Sequence, residues 1–209
     1  QYQVWRELHQ PRLAALPNLT DKQAASGAVP KPSLLFCPAS ASFTAVKRSV
    51  ESVLRQTSLH WELCVAYDTS TTDRVRKWLA HESRTNQRVR IASETGAASP
   101  VAAMNLALSI ASGDFVANLS PGDELAPHAL RSVAQACLDH DDVDVLYADE
   151  DRVHEFGEHS APFFKPDWSP EHLLACNYLG SGTLIRTSLV RDVGGFREEF
   201  ADAVEYDLI

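Results

Sequence analysis

Four short segments carry the residues best suited to chemistry: 38–42 (PASAS), 68–72 (DTSTT), 120–124 (SPGDE) and 149–151 (DED). Three of the four are acidic. Carboxylates are hard oxygen ligands. A Mg²⁺-like cation takes about one or two of them and fills its other positions with water and phosphate oxygens. Acids gathered from separate loops would therefore form a cleft that holds a cation and, through it, a diphosphate. Taken singly, an Asp or Ser after a strand is explained as a helix cap or turn former. Residues 116–130, VANLSPGDELAPHAL, show the tension. Ser120, Pro121 and Gly122 fill most of the turn, and only Asp123 and Glu124 bring carboxylates.

Other chemistries find less support. No GxGxxG follows the first strand and no GxxxxGK[ST] occurs, which weakens dinucleotide and P-loop readings. The His and Cys spacing gives no zinc site, and no G-x-S-x-G elbow is present. The run DDVDVLYADEDR lacks the glycine and ligand spacing of a calcium loop. A net charge of −9 argues against a general nucleic-acid binder. The four cysteines, Cys37, Cys64, Cys137 and Cys176, form no CxxC pair. Buried thiols and a reducing cytoplasm are expected, rather than a disulfide framework.

The elements that must position these acids follow from periodicity. With 209 residues, 44% hydrophobic and 22% charged, the chain suits one sizeable soluble domain. Residues 2–16 read as a loose helical arm and 17–32 as a Pro/Ala/Ser linker. Strand patterns at 33–37, 61–67, 88–92, 115–119 and 143–147 alternate with helical ones at 46–54, 73–81, 100–111 and 127–138. This rhythm predicts an α/β fold, a mostly parallel twisted sheet with helices on both faces. Ligands in such sheets bind outside the carboxyl ends of the strands. All four segments above lie there, so three acidic ones converge on one edge.

After residue 151 the rhythm breaks into a hairpin candidate, RVHEFGEHSAPFF, and a shorter helix-strand-helix series. Gly194-Gly195 suggests a tight turn before Phe196. No apolar run approaches the roughly 20 residues that cross a bilayer, and the first residues lack a signal-peptide core. The absent initial Met and an end inside a helical pattern suggest a piece of a longer polypeptide.

Several motifs, in order, resemble the family-2 glycosyltransferases of GT-A fold. They are SLLFCPAS, VKRSVESVLRQTSLHWELCVAYDTST, MNLALSIASGDFVANLSPGDELAPHAL, VDVLYADEDRV, FFKPDWSPEHLLACNYL, VRDVGGFREEF and EYDL. YADED followed by FKPDWSPE and NYL is the most distinctive part, and the likeness is greatest to the bacterial branch that builds surface polysaccharide and O-antigen. The resemblance implies a nucleotide-sugar-binding half at 33–150 and an acceptor-side half at 151–209, preceded by an arm and linker at 1–32. It implies inverting sugar transfer from a nucleoside diphosphate to a glycan or lipid-linked acceptor, aided by Mg²⁺ or Mn²⁺. Nucleic acid is not an expected partner, whereas other domains of a longer polypeptide are. The location implied is cytoplasmic, peripheral at the inner face of the membrane.

Position by position, the resemblance places Pro38, Tyr67, Asp68, Asn105, Ser120 and Asp123 at the donor. Asp123 is the metal ligand; Asp149, Asp151 and Trp168 lie on the acceptor side. Glu205 and Asp207 are the catalytic candidates. Tyr67 stands where the family has the first Asp of an Asp-Asp pair and is a candidate to stack on a base, or else a rim tyrosine. Ser120 and Gly122 replace two acids of an Asp-x-Asp-Asp pattern, and Glu205 replaces an Asp at the base position. Lys165 and Arg186 are candidates to neutralise phosphate or to form salt bridges. These departures leave two expectations open: an active metal-assisted transferase, or an inactive GT-A module that binds glycan, nucleotide or a partner domain.

Overall fold

The computed structural model describes residues 2–14, 29–93, 95–140, 142–154, 157–201 and 203–209, with backbone only for 10–14. Residues 17–28 of the expected linker and 155–156 of the expected hairpin lie outside these.

The predicted alternation is present. Strands β1 (Pro32–Phe36), β2 (Glu62–Val65), β3 (Val89–Ile91) and β4 (Phe115–Asn118) alternate with helices α2 (Phe43–Leu54), α3 (Asp73–Thr85) and α4 (Pro100–Ile110). Helix α5 (Ala129–Asp139) then leads to β5 (Val145–Leu146). The N-terminal arm is α1 (Tyr2–Ala14). The later elements are β6 (Glu150–Val153), β7 (His159–Phe163), α6 (Pro170–Ala175), β8 (Leu184–Arg186), α7 (Thr187–Asp192), a 3₁₀ turn (Glu198–Phe200) and α8 (Val204–Asp207). Two helix starts show their local cause. Ser42 accepts from the Ala45 amide at 3.2 Å and Ser99 from the Ala102 amide at 3.0 Å, with Pro100 in the first helical turn.

The sheet order is β3-β2-β1-β4-β8-β5. The first four strands run parallel, and β8 pairs antiparallel with both β4 and β5. The halves expected to divide at residue 150 therefore share one sheet, because β8 comes from the second and sits inside the first. Strand alternation sorts the side chains between two faces. Leu34, Phe36, Leu63, Val65, Phe115 and Ala117 pack with α2, α3 and α5. On the other face Leu35, Cys64, Val116 and Ile185 pack with Val101, Met104 and Leu108 of α4 and Val190 of α7. Each face buries a continuous apolar layer, which holds the strand ends in fixed register.

The hairpin β6–β7 forms a separate two-stranded sheet, and α1 rests on it. Tyr2 donates to Asp151 Oδ2, and Trp5 meets Phe164 edge-on at 5.1 Å. All four cysteines are free thiols, with Cys37, Cys64 and Cys137 buried. Among the described residues no helix is long and apolar enough to cross a membrane.

Candidate active site

The loop after β4 is stitched to α2. Ser49 and Ser52 of that helix and Gln56 just past its end form a buried polar stripe, at spacings of three and four residues. The Ser49 hydroxyl accepts from the Gly122 amide at 2.7 Å and donates to the Ser120 carbonyl at 3.2 Å. Ser52 accepts from the Leu125 amide at 3.0 Å; Gln56 donates to the Ala126 carbonyl at 2.7 Å and accepts from the Leu130 amide at 3.0 Å. Each buried polar group is satisfied by the loop, so the loop is held rigidly. Gly122 turns it at φ +103°, in the region that favours glycine. An acid at this position, as in the family pattern, would need a different turn as well as a different side chain.

This rigid loop aims its two carboxylates apart. Glu124 faces α2, with Arg48 at 3.5 Å and Arg55 at 3.8 Å. Asp123 faces the opposite way and accepts from Ser181 Oγ at 2.7 Å. Ser181 lies between Gly180 and Gly182, which line a narrow cleft of about 20 Å³ at the carboxyl edge of the sheet. Asn118, Thr183 and Glu205 supply polar lining, and Val116, Ile185 and Phe196 part of the apolar wall.

Glu205 is half-buried in this cleft, and its Oε1 accepts from Asn118 Nδ2 at 2.6 Å. Burial pushes its carboxyl above the ordinary range; the Asn118 hydrogen bond opposes this, while Asp123 and Glu150 push further upward. Glu205 thus stands in the field of carboxylates from two other segments. Glu150 is itself paired with Lys165 at 3.1 Å, and the Lys165 ammonium also donates to the Leu179 carbonyl.

The other expected residues are placed differently. Asp68 is 3% exposed, and its carboxylate accepts from Ser70 Oγ at 2.7 Å and Thr71 Oγ1 at 2.8 Å. Here the turn-forming role holds, and Asp68 does not share the hollow with Asp123 and Glu205. Tyr67 is likewise 3% exposed, with its ring in the core under the Arg76 guanidinium at 4.8 Å. It offers no free face to a base, which corrects both the stacking and the rim expectations. Asn105 spends both ends of its amide on Phe196, donating to the carbonyl at 2.8 Å and accepting from the N–H at 2.9 Å. It pins the Gly194-Gly195 turn, where both φ are positive, and a Cβ on Gly195 would come within 2.6 Å of Asn105 Oδ1. Asn105 is thus a packing residue rather than a donor ligand.

Pro38 is buried at the end of β1, its carbonyl accepting from the Ala41 amide at 3.1 Å. Ser120 is half-buried at the rim, and its hydroxyl is 3.5 Å from Asn118 Nδ2. Asp207 is held by the Arg197 guanidinium, with Nε at 2.7 Å, so Glu205 is the less committed of the two basic candidates. Asp149 accepts from the Lys165 amide at 2.8 Å, and Asp151 from His159 Nδ1 at 2.8 Å. Asp149 thus braces the hairpin, and Asp151, which also accepts from Tyr2, ties the hairpin to the arm. Trp168 is 53% exposed and free to meet a ligand. Arg186 pairs with Asp144 at 2.5 Å beside Phe115, at the far edge of the sheet from the cleft. It is the salt bridge, and not a phosphate ligand of this cleft.

Asn118 and Ser181 went unmarked in the sequence because their partners, Glu205 and Asp123, lie 87 and 58 residues away. The α2 stripe was detectable, since Ser49, Ser52 and Gln56 repeat at helical spacing.

Among the described residues no group of three His, Cys, Asp or Glu side chains is arranged to hold a cation. Asp123 alone, with Glu205 within electrostatic reach, fits a Mg²⁺-like ion that draws its other ligands from water and a diphosphate.

Comparison with known proteins agrees with this geometry. The family model for glycosyl transferase family 2 matches residues 38–194. The O-antigen biosynthesis protein RfbC of Myxococcus xanthus is 35% identical over 169 residues, which cover 81% of this chain and 13% of that protein. The chain thus spans under a fifth of this curated relative's length. Among solved structures, S. aureus TarS 1–349 in complex with UDP-GlcNAc superposes with a TM-score of 0.66 at 22% identity, covering 85% of this chain and 52% of that one. The mannosyltransferase PcManGT from Pyrobaculum calidifontis, in complex with GDP-Man and Mn²⁺, superposes with a TM-score of 0.63 at 15% identity, covering 86% and 51%.

Proposed function

The chain belongs to glycosyl transferase family 2, and from that premise we propose that it transfers a sugar from a nucleoside diphosphate to an acceptor hydroxyl, with inversion, in surface-polysaccharide assembly. The observation that carries the reading is Glu205, a carboxylate that burial and the nearby Asp123 raise above its ordinary range, in a cleft beside the Asp123–Ser181 pair. A general base works best when its pKa lies near the operating pH.

In this scheme the acceptor oxygen forms the new bond to the anomeric carbon. The bond from that carbon to the diphosphate breaks, and its electron pair leaves on the phosphate oxygen. The hydroxyl proton passes to Glu205, which returns it to water. Asp123 would hold a Mg²⁺ or Mn²⁺ ion, which when bound offsets the charge gathering on the diphosphate. The exposed Trp168 offers a face to a glycan or lipid-linked acceptor. The names of TarS with UDP-GlcNAc and PcManGT with GDP-Man and Mn²⁺ support a nucleotide-sugar donor, and that of RfbC supports the polysaccharide setting.

Thermal-shift titration with UDP-, GDP- and TDP-sugars, with and without Mn²⁺, tests the reading. At least one donor should raise the melting temperature, and Mn²⁺ should increase the rise. No shift with any donor would contradict it. One observation favours a second reading, a non-catalytic binding module: Asp68 and Asp207 are both occupied by protein partners. On that reading Ser120→Asp would create Mn²⁺-dependent donor binding that the parent lacks; equal binding in both would exclude it.

A further inference from the structure

We infer that Asn118 is the positioning residue for the proposed base: its amide seats Glu205 Oε1 and leaves Oε2 to receive the acceptor's proton. The inference rests on the sugar-transfer reading above and deepens it. Asn118 is the last residue of β4, and strand alternation puts it on the face of Val116, which α8 covers with Val204 and Leu208. A polar amide at the end of a buried strand needs a partner. Glu205 supplies it, at 2.6 Å. A carboxylate only accepts hydrogen bonds, so the amide nitrogen must face it when Glu205 is ionised. Among the described residues no hydrogen bond reaches Oε2, which leaves that oxygen open to the cleft.

Geometry and electrostatics agree on what the contact does. Glu205 is surrounded by groups that resist its charge: burial itself, Asp123 on the rim loop and Glu150 on β6. Of the nearby cations, Lys165 is paired with Glu150 and Arg197 with Asp207. The Asn118 donor is the contribution that favours the ionised form. It thus fixes where the proton acceptor stands and keeps the acceptor ionised to lower pH than its surroundings would allow. A purely structural contact would do the first and not move the titration of Oε2's proton in step with turnover.

The test is an NMR titration of the Glu205 side-chain carboxyl carbon in the whole chain, with the resonance assigned by its loss in Glu205→Gln. Asn118→Leu should raise the titration midpoint by about one pH unit, the size of a hydrogen bond to a charged group. Asn118→Gln should recover part of the rise, and Asn118→Ala substitutes for the leucine variant if leucine overfills the site. The acid limb of UDP release from UDP-GlcNAc, or of GDP release from GDP-mannose, should move upward by the same interval. An unchanged midpoint in both the Leu and Ala variants would overturn the inference. A Glu205→Gln protein that releases nucleotide as fast as the parent would instead overturn the base assignment, whatever the titration shows.

Discussion

Two carboxylates stand at opposite edges of the same sheet and have opposite environments. Glu62 opens β2 at the amino edge and is 2% exposed. It accepts from Lys31 Nζ at 2.8 Å, Ser33 Oγ at 2.6 Å, the Ser112 amide at 2.5 Å and Arg90 at 3.1 Å. Burial alone would raise its pKa, but these donors outweigh burial and bring it down to about 2. Glu205, at the carboxyl edge, has among the described residues the single donor Asn118, with two carboxylates in range, and its pKa goes up. One acid is saturated and serves the fold. The other is left under-compensated, which costs stability and makes a better base.

The largest expected effect lies at the carboxyl edge. Glu205→Gln should lower nucleotide release by about 10²–10⁴-fold, the usual worth of a general base, with little change in the donor's KM. At the amino edge, Glu62→Gln should destabilise the fold by about 3 kcal/mol, read from the denaturant midpoint. Its depressed pKa gives the pH signature. The stabilisation is complete above the unfolded value near 4.5 and is lost as pH falls through about 2. Glu205 should behave in reverse. Its raised pKa means the folded chain binds the extra proton, so stability falls as pH rises from the unfolded value through the folded one. Glu205→Gln should therefore melt higher than the parent at neutral pH and converge with it in acid. A Gln variant that melts lower at neutral pH would break the contrast between the two edges. The smallest effect is Ser181→Ala, which frees the Asp123 carboxylate. It should weaken Mn²⁺-dependent UDP binding by about 5-fold, the worth of one hydrogen bond near 1 kcal/mol.

The same two edges show what a sequence makes legible. Strand and helix alternation placed the sheet and its two covered faces, because burial writes its period directly into residue order. The Gly194-Gly195 turn was readable for the same local reason. Pairings between distant segments were not. Asp68 and Asp123 look alike after their strands, yet Asp68 is consumed by Ser70 and Thr71 two and three residues on, while Asp123 meets Ser181 from another part of the chain. Tyr67 carried one mark of its burial, the alternation of Trp61, Leu63, Val65 and Tyr67 in its strand pattern, although tyrosine suits both core and rim. The insertion of β8 between β4 and β5 is a long-range pairing that periodicity cannot reveal. Asn118 was hidden inside a strand pattern, its partner 87 residues away.

Asp123, beside the cleft, is expected to couple a cation to a nucleoside diphosphate. Calorimetric titration of UDP into the parent chain and into Asp123→Ala, each with and without Mn²⁺, addresses it most directly. Mn²⁺ should tighten UDP binding to the parent and have no such effect on the variant. Equal tightening in both proteins, or none in the parent, would contradict it.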